Sequence, residues 1–405
     1  MRSMYFEGER AHLPVENPTS SITALPSAHL AEMSLPPELI SRILRDLGDD
    51  TESLRSISLV SKAWVGCCQA HLFKSVHLRP TTLKGWSKNV CKAVGGPGSH
   101  TRTLMLEESH SLHWINPQYP RFPLSNLASF SDVRFLSLIQ WDSTHFDGAS
   151  LEPYFGHFGN SLRAMNLQSC TFDPATLVDF LCLLPNLDDL WLSHCFLHSA
   201  TPTTTLSVPE VTPTFRGTLS LGDLGSVYFF EALAKLPLRF STIKLKDYHC
   251  HGEGAYELLL NSCRDTLVAL HYMHIHRDAP FPNVLLGSCL KLEELHVRLR
   301  VRGATGLTPY LTTLFSSITS PKFRKISLTF VDLAKGGGRP GWSLQGTISL
   351  SSLDMVLSTL AQRVQDVGGK LTLQLNFSGV GPSLDVDHDL QNFLGRGGLV
   401  DVNYD

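Results

Sequence analysis

The sequence predicts a two-part α/β chain: a short all-helical unit near the N-terminus, followed by an irregular solenoid of parallel strands and helices. Three observations predict it. Apolar residues between positions 34 and 73 recur at helical spacing. From about residue 100 onward a short apolar pattern of strand type returns many times. The copies are roughly 24 to 32 residues apart, except for longer gaps around insertions, which leaves room for a helix after each strand.

Composition bounds the function classes. The chain has 405 residues, 42% of them hydrophobic and 18% charged, so most of it is expected to fold. The net charge of −3 gives no general attraction to nucleic acid or to an acidic membrane. Nine cysteines, scattered and without paired metal-ligand spacing, read as reduced, buried small hydrophobes. The first residues lack the apolar core of a signal peptide, and no apolar run is long enough to span a bilayer. The expected location is therefore cytoplasmic or nuclear. The triplet Asn376-Phe377-Ser378 matches an N-glycosylation acceptor and, without a secretory route, reads as chance.

Taken in order, residues 1–33 are rich in Pro, Ser and Thr and read as a flexible tail. The helical unit, set at 34–78, opens on Pro36-Pro37, suited to a first helical turn. Leu39, Ile43, Leu44 and Leu47 form one stripe, and Gly48, Asp49 and Asp50 end it. Leu54 and Ile57 mark a second helix, and Leu59, Val60, Ala63, Trp64, Ala70 and Leu72 a third. Three short helices enclose little core, so apolar residues are expected to stay outside for a partner.

This segment resembles the F-box. The matching residues are Leu35-Pro36, Glu38-Leu39-Ile40, Ile43-Leu44, Leu47 and Leu59-Val60-Ser61-Lys62-Ala63-Trp64, about a tenth of the chain. The resemblance implies a helical hook that docks on a Skp-type adaptor and, through it, joins a cullin–RING ubiquitin ligase. It implies Leu35, Pro36, Leu39, Ile43, Leu44, Leu47, Leu59, Val60 and Trp64 as adaptor contacts.

Residues 98–405 carry the repeats. The clearest are Leu162-x-x-Met165-x-Leu167-x-x-Cys170 and Leu187-x-x-Leu190-x-Leu192-x-x-Cys195. Looser copies begin at Val133, Phe240, Leu267, Leu292 and Phe323, with degenerate ends near Leu104 and Leu373. Counting a further one at Leu219, this predicts roughly eight to ten strands. Helices are expected over 176–184, 228–236, 255–263, 310–318 and 353–364. The pattern resembles leucine-rich repeats, in which strands line a concave face and helices the convex one, and the whole chain resembles F-box proteins that carry such repeats. Cys170 and Cys195 fall where that family places a buried Asn or Cys. Residues 198–213 and the glycines of 334–344 interrupt the period as loops. The glycines formally match G-x-G-x-x-G, but Pro340, Trp342 and the strand-like Thr347-Ile348-Ser349-Leu350 follow where a dinucleotide site needs a helix.

No nucleophile elbow, phosphate loop, H-E-x-x-H or C-x-x-C is present. The densest titratable group is Asp247, His249, Cys250, His251, His271, His274 and His276. Strand alternation sends His271 and His274 to opposite faces, which argues against a metal centre. No catalytic residue, metal or cofactor is expected.

The face opposite the core is more informative. Leu295, Val297, Leu299 and Val301 alternate with His296, Arg298, Arg300 and Arg302, which predicts a basic ridge suited to carboxylate or phosphate. Trp191, Ser193, Lys244, Lys246, His271, Lys325 and Ser327 belong to the same face by the same logic. Trp191, His296, Arg298 and Arg300 are the candidate target contacts. The expected function is a substrate-recognition subunit of an SCF-type (Skp–cullin–F-box) ubiquitin ligase, with no catalytic site of its own. Two rivals stand beside it: a repeat scaffold that binds protein without ubiquitination, and an enzyme whose site would need a deep pocket with convergent polar groups.

Overall fold

The structure, a computed structural model, describes residues 35–48, 50–60, 62–80, 82, 96–108, 124–143, 151–197, 213, 215–222, 224, 228–247, 255–274, 285–300, 307–331, 348–378 and 385–404. The 1–33 tail and nearly all of the 198–213 and 334–344 stretches lie outside these residues.

The chain begins with three helices, α1 (Pro37–Leu47), α2 (Thr51–Ser58) and α3 (Lys62–Leu72). Proline opens α1, and Glu38 places a carboxylate in its first turn. Gly48, at φ +59°, ends it in a conformation that side chains with a Cβ rarely adopt. Asp50 then caps α2, its carboxylate accepting from the backbone N–H groups of Glu52 and Ser53 at 3.2 Å each. Ile40, Leu44, Leu54 and Cys68 form a small separate core, with Leu47, Ile57, Trp64, Cys67 and Leu72 packed against it.

The rest is a mixed α/β body around one parallel sheet of twelve strands. Its strands are β1 (Ser75–Leu78), β2 (Thr103–Glu107), β3 (Phe135–Ile139), β4 (Ala164–Gln168), β6 (Asp189–Ser193), β8 (Thr218–Gly222), β9 (Thr242–Asp247), β10 (Ala269–His274), β11 (Glu294–Arg300), β12 (Lys325–Val331), β13 (Thr372–Ser378) and β14 (Leu399–Tyr404). They lie side by side in chain order. Two short strands, β5 (Thr171–Phe172) and β7 (Phe196–Leu197), pair separately.

The register aligns the repeats residue for residue. Leu104, Leu136, Met165, Leu190, Leu219, Ile243, Leu270, Leu295, Ile326 and Leu373 are opposite one another across successive strands, and each is 0% exposed. These are the ten expected strand centres. The structure adds one strand at each end. Residues 75–78, expected to close the helical unit, instead form β1, where Val76 and Leu78 continue the two apolar rows. Val400 and Val402 do the same in β14.

Helices cover the apolar side. Pro174–Cys182, Tyr228–Ala234, Ala255–Ser262, Leu307–Ser316 and Leu350–Asp366 fall within a few residues of expectation. Their buried residues share one hydrophobic core with the strand rows. One local expectation is corrected. Residues 348–350 do not make a strand: Ser349 caps the helix Leu350–Asp366, its hydroxyl accepting from the Ser352 N–H at 3.2 Å, and Thr347 lies outside the described residues. A serine flanked by apolar residues fits either pattern, and the cap decides it.

After each of three strands the backbone turns through one left-handed residue: Gln140, Ser169 and His194, at φ +59°, +54° and +53°. The next side chain then reaches back to the preceding strand. Trp141 Nε1 donates to the Leu106 carbonyl at 3.2 Å, and Cys170 and Cys195 donate to the Leu138 and Leu167 carbonyls at 3.3 Å each.

Candidate functional site

Two surfaces stand out, one on the helices and one on the sheet. Because α1–α3 enclose so little core, they leave an apolar surface outside. Leu35, Leu39 and Ile43 are 42%, 46% and 40% exposed, and Leu59 and Val60 are 87% and 76% exposed. Leu59 and Val60 lie in the turn between α2 and α3 rather than within a third helix, since α3 starts at Lys62. Pro36 is also exposed. The structure corrects the expectation for Leu44, which is 0% exposed and holds the small core together. Leu47 and Trp64 are half-buried against that same core. Of the nine expected contacts, six therefore present side chains outward and three pack inward or partly so.

On the sheet, residues alternating with the buried rows form the opposite face. One row runs His77, Met105, Ser137, Asn166, Trp191, Ser220, Lys244, His271, His296, Ser327, Gln374 and Asp401. The next row includes Ser193, Gly222, Lys246, Met273, Arg298, Thr329 and Asn376. Leu295, Val297 and Leu299 point inward as expected, at 1% exposure or less. Arg298 is exposed. Arg302 and Val301, and the side chain of Arg300, lie outside the described residues, as do His249, Cys250, His251 and His276.

Charge is organised locally on this face. His296 Nε2 and Glu294 Oε2 are 3.1 Å apart, and that hydrogen bond holds the Glu294 carboxyl below its usual range. The His271 and His296 rings stack, with centroids 4.2 Å apart and planes 3° from parallel. Burial, then the neighbouring His296 and Lys244, lower His271 to about 4, while Glu294 pulls the other way. At neutral pH His271 is uncharged. Trp191 leans on Phe135, ring centroids 5.9 Å apart, and is half-buried. Sequence alternation identified every cation here, but only the register shows that Lys246 and Arg298 share a row. Glu294 escaped attention, although its position two residues before His296 puts it on the same face.

Burial pushes the Cys263 thiol up to about 12 and raises Cys170 well above its usual value, so both are protonated and poor nucleophiles. Among the described residues no three His, Cys, Asp or Glu side chains converge to hold a metal ion. Among the described residues no helix is long and apolar enough to cross a membrane.

A scan against protein-family models finds no match, and a search of curated proteins finds none.

Proposed function

We propose that this protein is the substrate-recognition subunit of an SCF-type ubiquitin ligase. In this reading α1–α3 are an F-box that binds a Skp-type adaptor and through it a cullin–RING ligase. The strand–helix repeats are a leucine-rich-repeat solenoid whose strands line a concave face that holds a target protein. The chain does no bond chemistry. It raises the rate of ubiquitin transfer by holding the target beside a charged partner enzyme. It works in the cytoplasm or nucleus.

The observation that carries the reading is the apolar surface of Leu35, Leu39, Ile43, Leu59 and Val60 on a unit too small to bury them. Their order and spacing resemble the F-box pattern. The adjoining long sheet carries, among the described residues, a polar face with Lys244, Lys246 and Arg298 exposed, which suits a protein ligand.

The test is affinity purification of the chain after proteasome inhibition. Co-purification of a Skp-type adaptor and a cullin is expected, with target proteins enriched by the inhibitor. An adaptor without a cullin would favour a repeat scaffold that binds protein without ubiquitination. Absence of any Skp-type adaptor would remove the assignment.

A further inference from the structure

The unpaired cations of the sheet face are gathered in one place. Lys244 and Lys246 project from β9 and Arg298 from β11, and all are exposed. None of them has an ion-pair or hydrogen-bond partner among the described residues. The contrast with the arginine just before β12 is direct: Arg324 is held by Glu293 at 2.5 Å. Lys246, Met273 and Arg298 stand in one row, so the two outer cations flank a neutral floor about 10 Å across. The neighbouring rows are low. Gly222 lies beside Lys246, whose side chain passes over it, and Thr329 lies beyond Arg298. Neutral His271 adds a flat plate next to the cations without adding charge.

Trp191 is on the same face, three strands from the middle of this patch: β6 to β8, β9 and β10. At the usual strand spacing that is about 14 Å, or about four residues of extended chain. Trp191 is the one large aromatic in its row, with Asn166 and Ser220 on either side.

We propose that this face binds an extended peptide that places an anionic group between Lys246 and Arg298 and a large apolar side chain on Trp191. The anion is a phosphorylated side chain or a pair of carboxylates; both offer the clustered oxygens that two separated cations can share. This names the target class for the reading above and rests on its placing the target on the sheet face. A nucleic acid fits less well. Three cations neutralise few phosphates, and the chain is net negative.

The experiment uses the purified full-length chain and short peptide libraries with a fixed centre: phosphoserine, Glu-Glu or plain serine. Retention of the phosphoserine or the Glu-Glu library should exceed the serine library by about tenfold, the scale of charge-assisted hydrogen bonds. Whichever of the two is retained more strongly assigns the source of the anion. Bound peptides should be enriched in large apolar residues about four positions from the centre on one side. Lys246→Ala with Arg298→Ala should remove the excess retention. Trp191→Ala should remove only the positional enrichment, and Trp191→Gln, which still covers Phe135, provides the same readout if Trp191→Ala melts early.

Equal retention of the three libraries, unchanged selectivity in the double variant, or stronger binding of a single-stranded oligonucleotide would each overturn the proposal. Adaptor co-purification on the same variants keeps the two readings apart. Adaptor binding without peptide selectivity defeats only the peptide site. Peptide selectivity without adaptor binding defeats only the ligase assignment.

Discussion

Trp141, Cys170 and Cys195 do one job in three consecutive repeats. Each follows a left-handed residue and donates to the second apolar residue's carbonyl on the preceding strand. A buried carbonyl without a donor costs about 1–3 kcal/mol. Trp141→Phe keeps the ring against Phe155, 6.2 Å away, but removes the donor to Leu106. Its melting temperature should fall by several degrees, and denaturant titration should show a loss of about 1–3 kcal/mol. Ser169→Val should cost about 1–2 kcal/mol, because a Cβ-branched side chain crowds the following carbonyl in the left-handed region. The two cysteines were legible in the sequence by their place in the repeat. Trp141 was not: a large apolar side chain reads as core, and nothing in its spacing shows that the indole N–H has a specific acceptor.

His271 supplies a pH prediction at the same scale. Its folded value of about 4 lies below the ordinary 6.5, so the unfolded chain binds the extra proton between these limits. Stability should therefore be fully present above about pH 6.5 and decline as pH falls toward about 4. His271→Gln should flatten that part of the stability–pH curve. An unchanged slope in the variant would mean that His271 is not the group responsible.

At the scale of elements, the helical unit can be tested without disturbing its core. Leu59 is the most exposed of its apolar residues, at 87%, so Leu59→Glu should leave the melting curve unchanged while weakening adaptor capture. Leu35→Ala with Pro36→Ala should behave alike. Leu44→Ala is the opposite case. Its side chain is enclosed, so the loss of about 2–5 kcal/mol is a folding defect, and any loss of adaptor binding follows from that. The sequence stripe contained both Leu44 and Ile43, yet could not sort one from the other. Adjacent positions of a helix share a stripe, and only the packing of α2 and α3 decides which faces the small core. Element boundaries were legible where a cap or a turn residue marked them, as at Gly48 and Asp50. They were not legible at Ser349, where the capping hydroxyl sits inside an apolar run.

At the scale of the molecule, each strand meets only its sequence neighbours in the sheet. Leu190 lies in an unbroken row of fully buried side chains. Leu190→Asp places a carboxylate there without a partner, at a cost of several kcal/mol. Hydrogen exchange should then show loss of protection in β4, β6 and β8 first, with β12 and β13 least affected. Uniform loss along the chain would mean that the sheet melts as a single cooperative block. The ten strand centres were readable because the buried row repeats with a fixed period. The end strands were not, since β14 offers only Val400 and Val402 to the core and leaves Leu399 and Tyr404 exposed.

Strict chain order turns the sheet into a ruler. Only Phe73 and Lys74 separate α3 from β1, and the Lys74 carbonyl accepts from the N–H groups of both Arg102 and Thr103, at 2.9 and 3.0 Å. The zero mark is thus fixed to the helical unit, and every further strand adds one graduation of about 4.8 Å. The cations flanking Met273 stand at the sixth and eighth graduations after β1, centred about 34 Å along the sheet. Deleting one whole repeat between β2 and β6 would carry those cations one graduation closer and leave their mutual geometry untouched. Such a chain should select the same peptides as the full one, yet deliver them to a different point in space. The number of repeats before the cations, which their own chemistry does not reveal, would then determine which lysines of a held protein come within reach.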